Sequence, residues 1–277
     1  MAPVHSIHTV LGPGLMKPPA HPAKHRNSAE IWTLTLQSLL GTSTQPGADI
    51  VFLQEVSKSA LVHLLRDPRI RKSWYSSEAN TASWGGHLFA TMTLLSKARF
   101  GCFNDEILKA TLGPVWRVKF PSRFDRDALC CDVYVSSPSS DNPSKPSRLR
   151  LVNVHLDSLA IQPSKRPEQL SIVADMLRDA GQGLVAGDFN PVLPEDSTLA
   201  ENNGLVDAWV QVHGSMSGFT WGIDRKQRFP PGRLDKVAML GLQPYRIEVM
   251  HPGVIQEAEG YTAPWSDHSG LKCTFGL

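Results

Sequence analysis

Most apolar runs in this chain are short, and several end on a polar residue. Ile50-Val51-Phe52-Leu53 leads to Gln54-Glu55, Arg150 to Leu156 carries His155 and Asp157 at its far end, and Leu184-Val185-Ala186 runs into Gly187-Asp188-Phe189-Asn190. Short apolar runs bounded by Gly, Pro and polar clusters read as buried strands. Stretches of helical spacing lie between them. Glu30 to Leu40 has apolar residues at Ile31, Leu34, Leu36, Leu39 and Leu40, and Lys58 to Arg66 follows the first strand. Pro167 to Asp179 carries the stripe Leu170, Val173, Met176 and Leu177 and is stopped by Gly181. Alternating strands and helices imply an α/β architecture.

Between His87 and Val135 the pattern changes. Leu88 to Leu95, Val115 to Phe120 and Ala128 to Val135 are apolar or alternating runs separated by stretches that contain Gly, Pro and Ser, which predicts an antiparallel region. Ser136 to Ser147, dense in Ser and Pro, reads as a surface loop. A helix near Val206 to Val212 and a strand from Leu234 to Leu240 come next, and Ser266 to Leu271 enters a closing strand. Met1 to Asn27, rich in Pro and His, reads as an irregular or flexible arm over residues 1–28. Its one strand-like piece is Ser6 to Leu11, ahead of a single domain over 29–277.

The polar ends carry the chemistry. Glu55, His155, Asp188 with Asn190, and Asp267 with His268 all stand at the ends of apolar strands. Burying them is costly unless they meet one another or a ligand, so convergence at one rim of a sheet is the economical arrangement. Asp188 and Asn190 are two apart, and in an extended chain their side chains leave on the same side. One can act as base or metal ligand and the other as a neutral donor and acceptor, a pair suited to holding and attacking a phosphate. Alone, Gly-Asp-x-Asn is also an ordinary turn; the other strand ends favour the chemical reading.

Composition adds bounds. The 277 residues, 41% hydrophobic, suffice for one large core. With 28 basic against 26 acidic residues the net charge is +2, so a polyanion must be met by a local patch. Cys102, Cys130, Cys131 and Cys273 have no spacing that signals zinc or a disulfide framework, which favours an intracellular setting, nuclear or cytoplasmic. No run approaches the roughly 18 apolar residues of a membrane span.

Taken together, Leu53-Gln54-Glu55-Val56, Val154-His155-Leu156-Asp157-Ser158, Gly187-Asp188-Phe189-Asn190, Asp207-Ala208-Trp209, Thr220-Trp221, Arg233-Leu234-Asp235-Lys236 and Ser266-Asp267-His268-Ser269-Gly270-Leu271 stand in the order found in the endonuclease/exonuclease/phosphatase (deoxyribonuclease I-like) superfamily. The chain most resembles its 5′-tyrosyl-DNA phosphodiesterase branch, to which Phe120-Pro121-Ser122 with Arg126 and Leu129 is also similar. The likeness runs over about residues 30 to 277. It implies a four-layer α/β/β/α sandwich of two packed, mainly antiparallel mixed sheets flanked by helices. It also implies a Mg²⁺-dependent phosphodiesterase site, with Mn²⁺ as a substitute, acting as a monomer on nucleic acid or a protein–DNA adduct in DNA repair. By the resemblance Glu55 and Asp267 belong to the metal, and Asp188 orients and deprotonates the attacking water. Asn190 and His155 hold the phosphate, and Asp235 orients His268. Arg126, Ser158 and Trp221 are the substrate contacts, Trp221 sharing that role with core packing.

The sequence also departs from the branch. Its first strand normally carries an Asn near metal and phosphate, and nothing before Glu55 reproduces it. Either another residue takes the role or a regular first strand is lacking. Phe89 stands where a Tyr is usual, Pro191-Val192 where a charged pair is usual, and Ser269 where an aromatic is usual. These changes leave open RNA, abasic DNA, inositol phosphate or sphingomyelin as substrate, and a phosphate- or nucleic-acid-binding module with weak catalysis as a further alternative.

Overall fold

The structure, a computed structural model, describes residues 6–12, 48–101, 109–136, 146–224, 227–256, 262–264 and 266–276. Among these the strands are β1 (Ser6–Gly12), β2 (Ile50–Ser57), β3 (Trp74–Ser76), β4 (Phe89–Ser96), β5 (Lys109–Lys119), β6 (Asp127–Ser136), β7 (Ser147–His155), β8 (Gly183–Asp188), β9 (Val206–Asp207), β10 (Asp235–Leu240), β11 (Gln243–Met250), β12 (Val254–Gln256), β13 (Thr262–Pro264) and β14 (Gly270–Gly276). The helices are α1 (Lys58–Arg66), α2 (Pro68–Ser73), α3 (Lys97–Phe100), α4 (Arg166–Ala180), α5 (Leu199–Asn202) and α6 (Ala208–His213). The expected helix at Glu30 to Leu40 and residues 137–145 of the expected loop lie outside the described residues.

Two six-stranded sheets form the body, in the orders β11-β14-β1-β2-β4-β3 and β5-β6-β7-β8-β10-β9. Both are mixed: β1 runs parallel to β2 and β7 parallel to β8, while the other pairings are antiparallel. Residues 6–12 are therefore not part of a free arm. The strand-like piece seen in the sequence fills the place between β2 and β14, where both neighbours would otherwise present unpaired backbone groups.

Side-chain alternation builds the layers. Ile50 and Phe52 of β2 face Leu149 and Leu151 of β7, Leu184 and Ala186 of β8 and Val237 and Met239 of β10 in the core between the sheets. The intervening Val51 and Leu53 pack outward on Leu61 and Leu64 of α1. Val152, Val154 and Val185 pack on Leu170, Val173 and Leu177 of α4 on the other flank. The result is the four-layer α/β/β/α sandwich that the sequence resemblance implies.

The same period of two sets the site. Continuing the inward face of each strand to one end gives Gln54 on β2, Asn153 and His155 on β7, Asp188 on β8 and Asp235 on β10. Because β7 and β8 are parallel and β10 antiparallel to them, two strands end where the third begins. Asp188 is paired in register with His155 on one side and Asp235 on the other.

Candidate active site

Glu55 owes its place to an irregularity. The β2–β4 ladder pairs Leu53 with Met92 and Val56 with Ala90, so β2 holds one extra residue there. Such a bulge re-aims a side chain, and Glu55 adopts a left-handed φ of 51°, a strained conformation for a residue with a Cβ. Two residues on, Ser57 Oγ accepts from the Ala60 N–H at 3.2 Å and caps α1. Bulge and cap together fix the strand end from which Glu55 enters a cleft of about 240 Å³.

That cleft is lined by Trp84, His87, Phe89, Phe124, Arg126 and His155 among others. The Arg126 guanidinium lies 5.8 Å from the Phe89 ring centre and 5.7 Å from that of Phe124. Its Nη2 is 3.0 Å from His155 Nε2 and donates to Ser158 Oγ at 3.0 Å. Burial lowers the Arg126 pKa, opposed by the charges of Glu55, Asp188, Asp157 and Asp127. A cation is thus set between carboxylates and two aromatic faces.

Asp188 lies behind it, with Oδ2 at 3.5 Å from His155 Nε2. The chain then turns rather than staying extended. Gly187 has φ 145°, and a Cβ there would lie 1.9 Å from the Val154 carbonyl oxygen, so no other residue fits without a shift of the strands. Asn190 has φ 47° and donates its backbone N–H to Asp188 Oδ1 at 2.9 Å. The Asn190 amide points elsewhere, to the Leu156 carbonyl at 3.3 Å and Ser158 Oγ at 3.4 Å. Asp188 and Asn190 meet through the backbone of the turn, and the shared side expected of an extended chain is not what joins them.

On the other side, Asp235 Oδ2 is 2.8 Å from His268 Nδ1. Burial disfavours the His268 cation, but the adjoining charge and hydrogen bond of Asp235, with Asp188 and Asp267 behind it, lift its pKa to about 10. Burial raises the Asp188 carboxyl to about 7, with the His268 charge opposing, Asp235 reinforcing, and the Asn190 N–H and Arg126 opposing. A carboxyl poised near neutrality and an imidazolium held by a carboxylate therefore stand side by side.

Thr220-Trp221 supports this pair. The Thr220 hydroxyl accepts from the Leu234 and Asp235 N–H groups, each at 3.1 Å, and its carbonyl accepts from Ser269 N–H at 2.7 Å. The Trp221 backbone bridges Gly232 and His268, and its ring is half-buried. Thr220 thus ties Asp235 and the His268 loop to one buried point. Thr220→Val keeps the shape and leaves two buried N–H groups without an acceptor. It is expected to cost about 1–3 kcal/mol in denaturant unfolding, and an unchanged midpoint would contradict this role.

The structure brings together His155, Asp188, Asn190, Arg126 and Ser158 by direct contacts, and Asp235 with His268 beside them. Glu55 shares the cleft with Arg126 and His155. Asp267 is exposed next to His268 and acts on it through its charge. Sequence reading missed the aromatic cleft walls Trp84 and Phe124, which no motif marks. It also missed the network in which the Asp207 carboxylate takes Arg233 Nη1 at 2.9 Å and Lys236 Nζ at 3.3 Å. Those two cations flank Asp235, a spacing visible in Arg233-Leu234-Asp235-Lys236.

The donor set suits a hydrated hard cation. Mg²⁺ needs only one or two carboxylates and keeps its remaining places for water and phosphate. The Glu55 side chain makes no hydrogen bond or ion pair among the described residues, its charge acting on Arg126, whereas Asp267 is open to solvent beside His268 and does not line the cleft that Glu55 enters. Among those residues no three His, Cys, Asp or Glu side chains cluster as a closed cage would require.

No family model matches the sequence, nor does any curated protein. Solved structures are similar along nearly its whole length. D. rerio TDP2 complexed with single strand DNA product matches at a TM-score of 0.67 and 19% identity, over 98% of this chain and 99% of that one. An endonuclease/exonuclease/phosphatase family protein from Bacteroides thetaiotaomicron matches at 0.65 and 13%, over 98% and 95%. The human Nocturnin catalytic domain with bound sulfate anion matches at 0.63 and 14%, over 98% and 94%. The chain has the fold of these proteins.

Proposed function

We propose that this chain is a Mg²⁺-dependent phosphodiesterase that hydrolyses a phosphoester in nucleic acid, with a 5′-tyrosyl-DNA end, a DNA-repair substrate, as the first candidate. The observation that carries the reading is the Asp188 carboxyl, buried between His155 and the Asp235–His268 pair and titrating at about 7. A base whose pKa lies near the working pH is what activation of water requires. The single strand DNA product held by the similar TDP2 structure supports a nucleic-acid substrate here. The cleft lined by Phe89 and Phe124 supports a substrate with a ring next to its phosphate.

In this reading Asp188 removes a proton from water as the water oxygen bonds to phosphorus and the ester oxygen departs. Asn190, Ser158, His155 and Arg126 form the donor side that holds the phosphoryl oxygens. His268, kept cationic by Asp235, faces the charge that grows in the transition state. Glu55, with Asp267, would hold Mg²⁺, which when bound supplies positive charge against the departing oxygen. A tyrosyl oxygen has a pKa of about 10 and needs little help from a general acid. The products are a 5′-phosphate end and a free tyrosine hydroxyl.

The test is direct. Purified protein with Mg²⁺ is expected to convert a 5′-phosphotyrosyl oligonucleotide to its 5′-phosphate. Cleavage confined to a sphingomyelin or inositol phosphate headgroup would overturn the nucleic-acid part of the reading. Binding of oligonucleotide without turnover under Mg²⁺ and Mn²⁺ would overturn the catalytic part.

A further inference from the structure

The inward faces of β2 and β7 stop being apolar one step before the site. On β2 the face runs Ile50, Phe52, Gln54, and on β7 it runs Leu149, Leu151, Asn153. Gln54, 1% exposed, and Asn153, 0% exposed, meet across the two sheets, with Gln54 Nε2 donating to Asn153 Oδ1 at 2.8 Å. Asn153 Nδ2 donates to the main-chain carbonyls of Leu53 at 3.2 Å and Met92 at 2.9 Å, with Thr93 Oγ1 at 3.4 Å. These partners fix both amides. Asn153 nitrogen faces carbonyls, so its oxygen must receive the Gln54 N–H, and Gln54 Oε1 is left buried with no partner.

Two amides and an orphaned oxygen in the middle of an apolar core are costly, and a shape-matched apolar pair would avoid that cost. Their position supplies a reason for keeping them. Leu53 and Met92, whose carbonyls Asn153 holds, are the last pair of the β2–β4 ladder before the extra residue enters. Gln54 is the next residue on β2, and Glu55 follows it at φ 51°. Asn153 is itself two residues before His155 on the same face of β7.

We propose that Asn153 and Gln54 are a positioning pair for the metal site: they fix where the β2 bulge occurs and so aim Glu55 into the cleft it shares with His155, at the cation. The proposal rests on reading Glu55 as the metal carboxylate. Partners that orient a ligand from behind are typically worth about 10–100-fold in metal affinity. The readout is Mn²⁺ binding followed by electron paramagnetic resonance, with unfolding measured on each variant. Wild type is expected to bind Mn²⁺ in a way that Glu55→Gln removes. Asn153→Leu is expected to weaken that binding about 10–100-fold, and Gln54→Met to weaken it less. Thr93→Val, which touches the same amide from β4, is expected to leave it unchanged. Gln54→Met removes a single hydrogen bond and decides the matter if Asn153→Leu does not fold. Glu55-dependent Mn²⁺ binding that survives both amide substitutions, whatever their stability, would overturn the proposal and leave the metal reading standing. Mn²⁺ binding indifferent to Glu55 would overturn both.

Discussion

Asp188→Asn is expected to lower turnover by about 10²- to 10⁴-fold, the range of a general base, and at pH 8 to make the protein harder to unfold. The two effects have one cause. Burial holds the Asp188 carboxyl at about 7 in the folded chain against an ordinary 3.8, so the folded state binds this proton more tightly than the unfolded state does. Stability therefore falls as pH rises from about 4 to 7 and is level above that. At pH 8 the buried charge is therefore a net cost to the folded state, the direction set by burial. Asparagine keeps the acceptor for the Asn190 N–H and carries no charge to bury. Its advantage should vanish below pH 4 and grow through pH 7. Denaturant unfolding at pH 4 and pH 8 measures this, and wild-type activity should rise along the same titration. Equal stability of the two proteins at pH 8, or equal turnover, would remove Asp188 from the role of a buried base.

That trade of stability for chemistry is why part of the site could be read from sequence. A carboxylate or histidine closing an apolar strand is a local contradiction, and Glu55, His155, Asp188 and His268 each announce themselves that way. β2, α1, β8 and α4 were legible for the complementary reason that the apolar pattern and the residues that stop it agree over each. What escaped is set by distance along the chain. Asn153 continues the face of Leu149 and Leu151 as plainly as His155 does, but its partners Gln54 and Met92 stand far away in sequence, and only their meeting gives it a role. β11 was missed because it is an edge strand, polar along much of its length and carrying Pro244 near its start. β1 was visible as an extended piece at Ser6 to Leu11, but its place in the sheet was not, because that place is defined by the two neighbouring strands more than by its own pattern. Asp157 shows the converse, a motif residue whose work is structural. It sits inside the His-Leu-Asp-Ser motif, yet its carboxylate takes Ser122 Oγ, the Arg123 N–H at 3.0 Å and Gln169 Nε2 at 2.8 Å, and so supports the loop without facing the cleft.

Arg166→Met is expected to be the most damaging substitution outside the site itself. Arg166 is 1% exposed and Asp196 0%, and Arg166 Nε donates to Asp196 Oδ2 at 2.7 Å. Arg166 Nη1 also holds the Asp157 carbonyl at 2.6 Å and the Leu159 carbonyl at 3.0 Å, on either side of Ser158. Asp196 in turn accepts from Ser164 Oγ and from the Leu193 N–H, each at 2.9 Å. One guanidinium thus joins the loop that presents Ser158 to the loop that follows Asn190, whose amide reaches Leu156 and Ser158. Methionine fills much of the same space but leaves the Asp196 charge buried without its partner, which costs about 3–5 kcal/mol. The unfolding midpoint should fall by about 10 °C for a domain of this size. Arg166→Met combined with Asp196→Asn removes the stranded charge and should recover part of that loss, a coupling that a mere packing defect would not show. In the surviving folded fraction Ser158 and Asn190 are less well held, so KM for the oligonucleotide should rise more than kcat falls. A single substitution that costs less than about 1 kcal/mol would mean that water enters to solvate Asp196 and that the two loops are organised by other contacts.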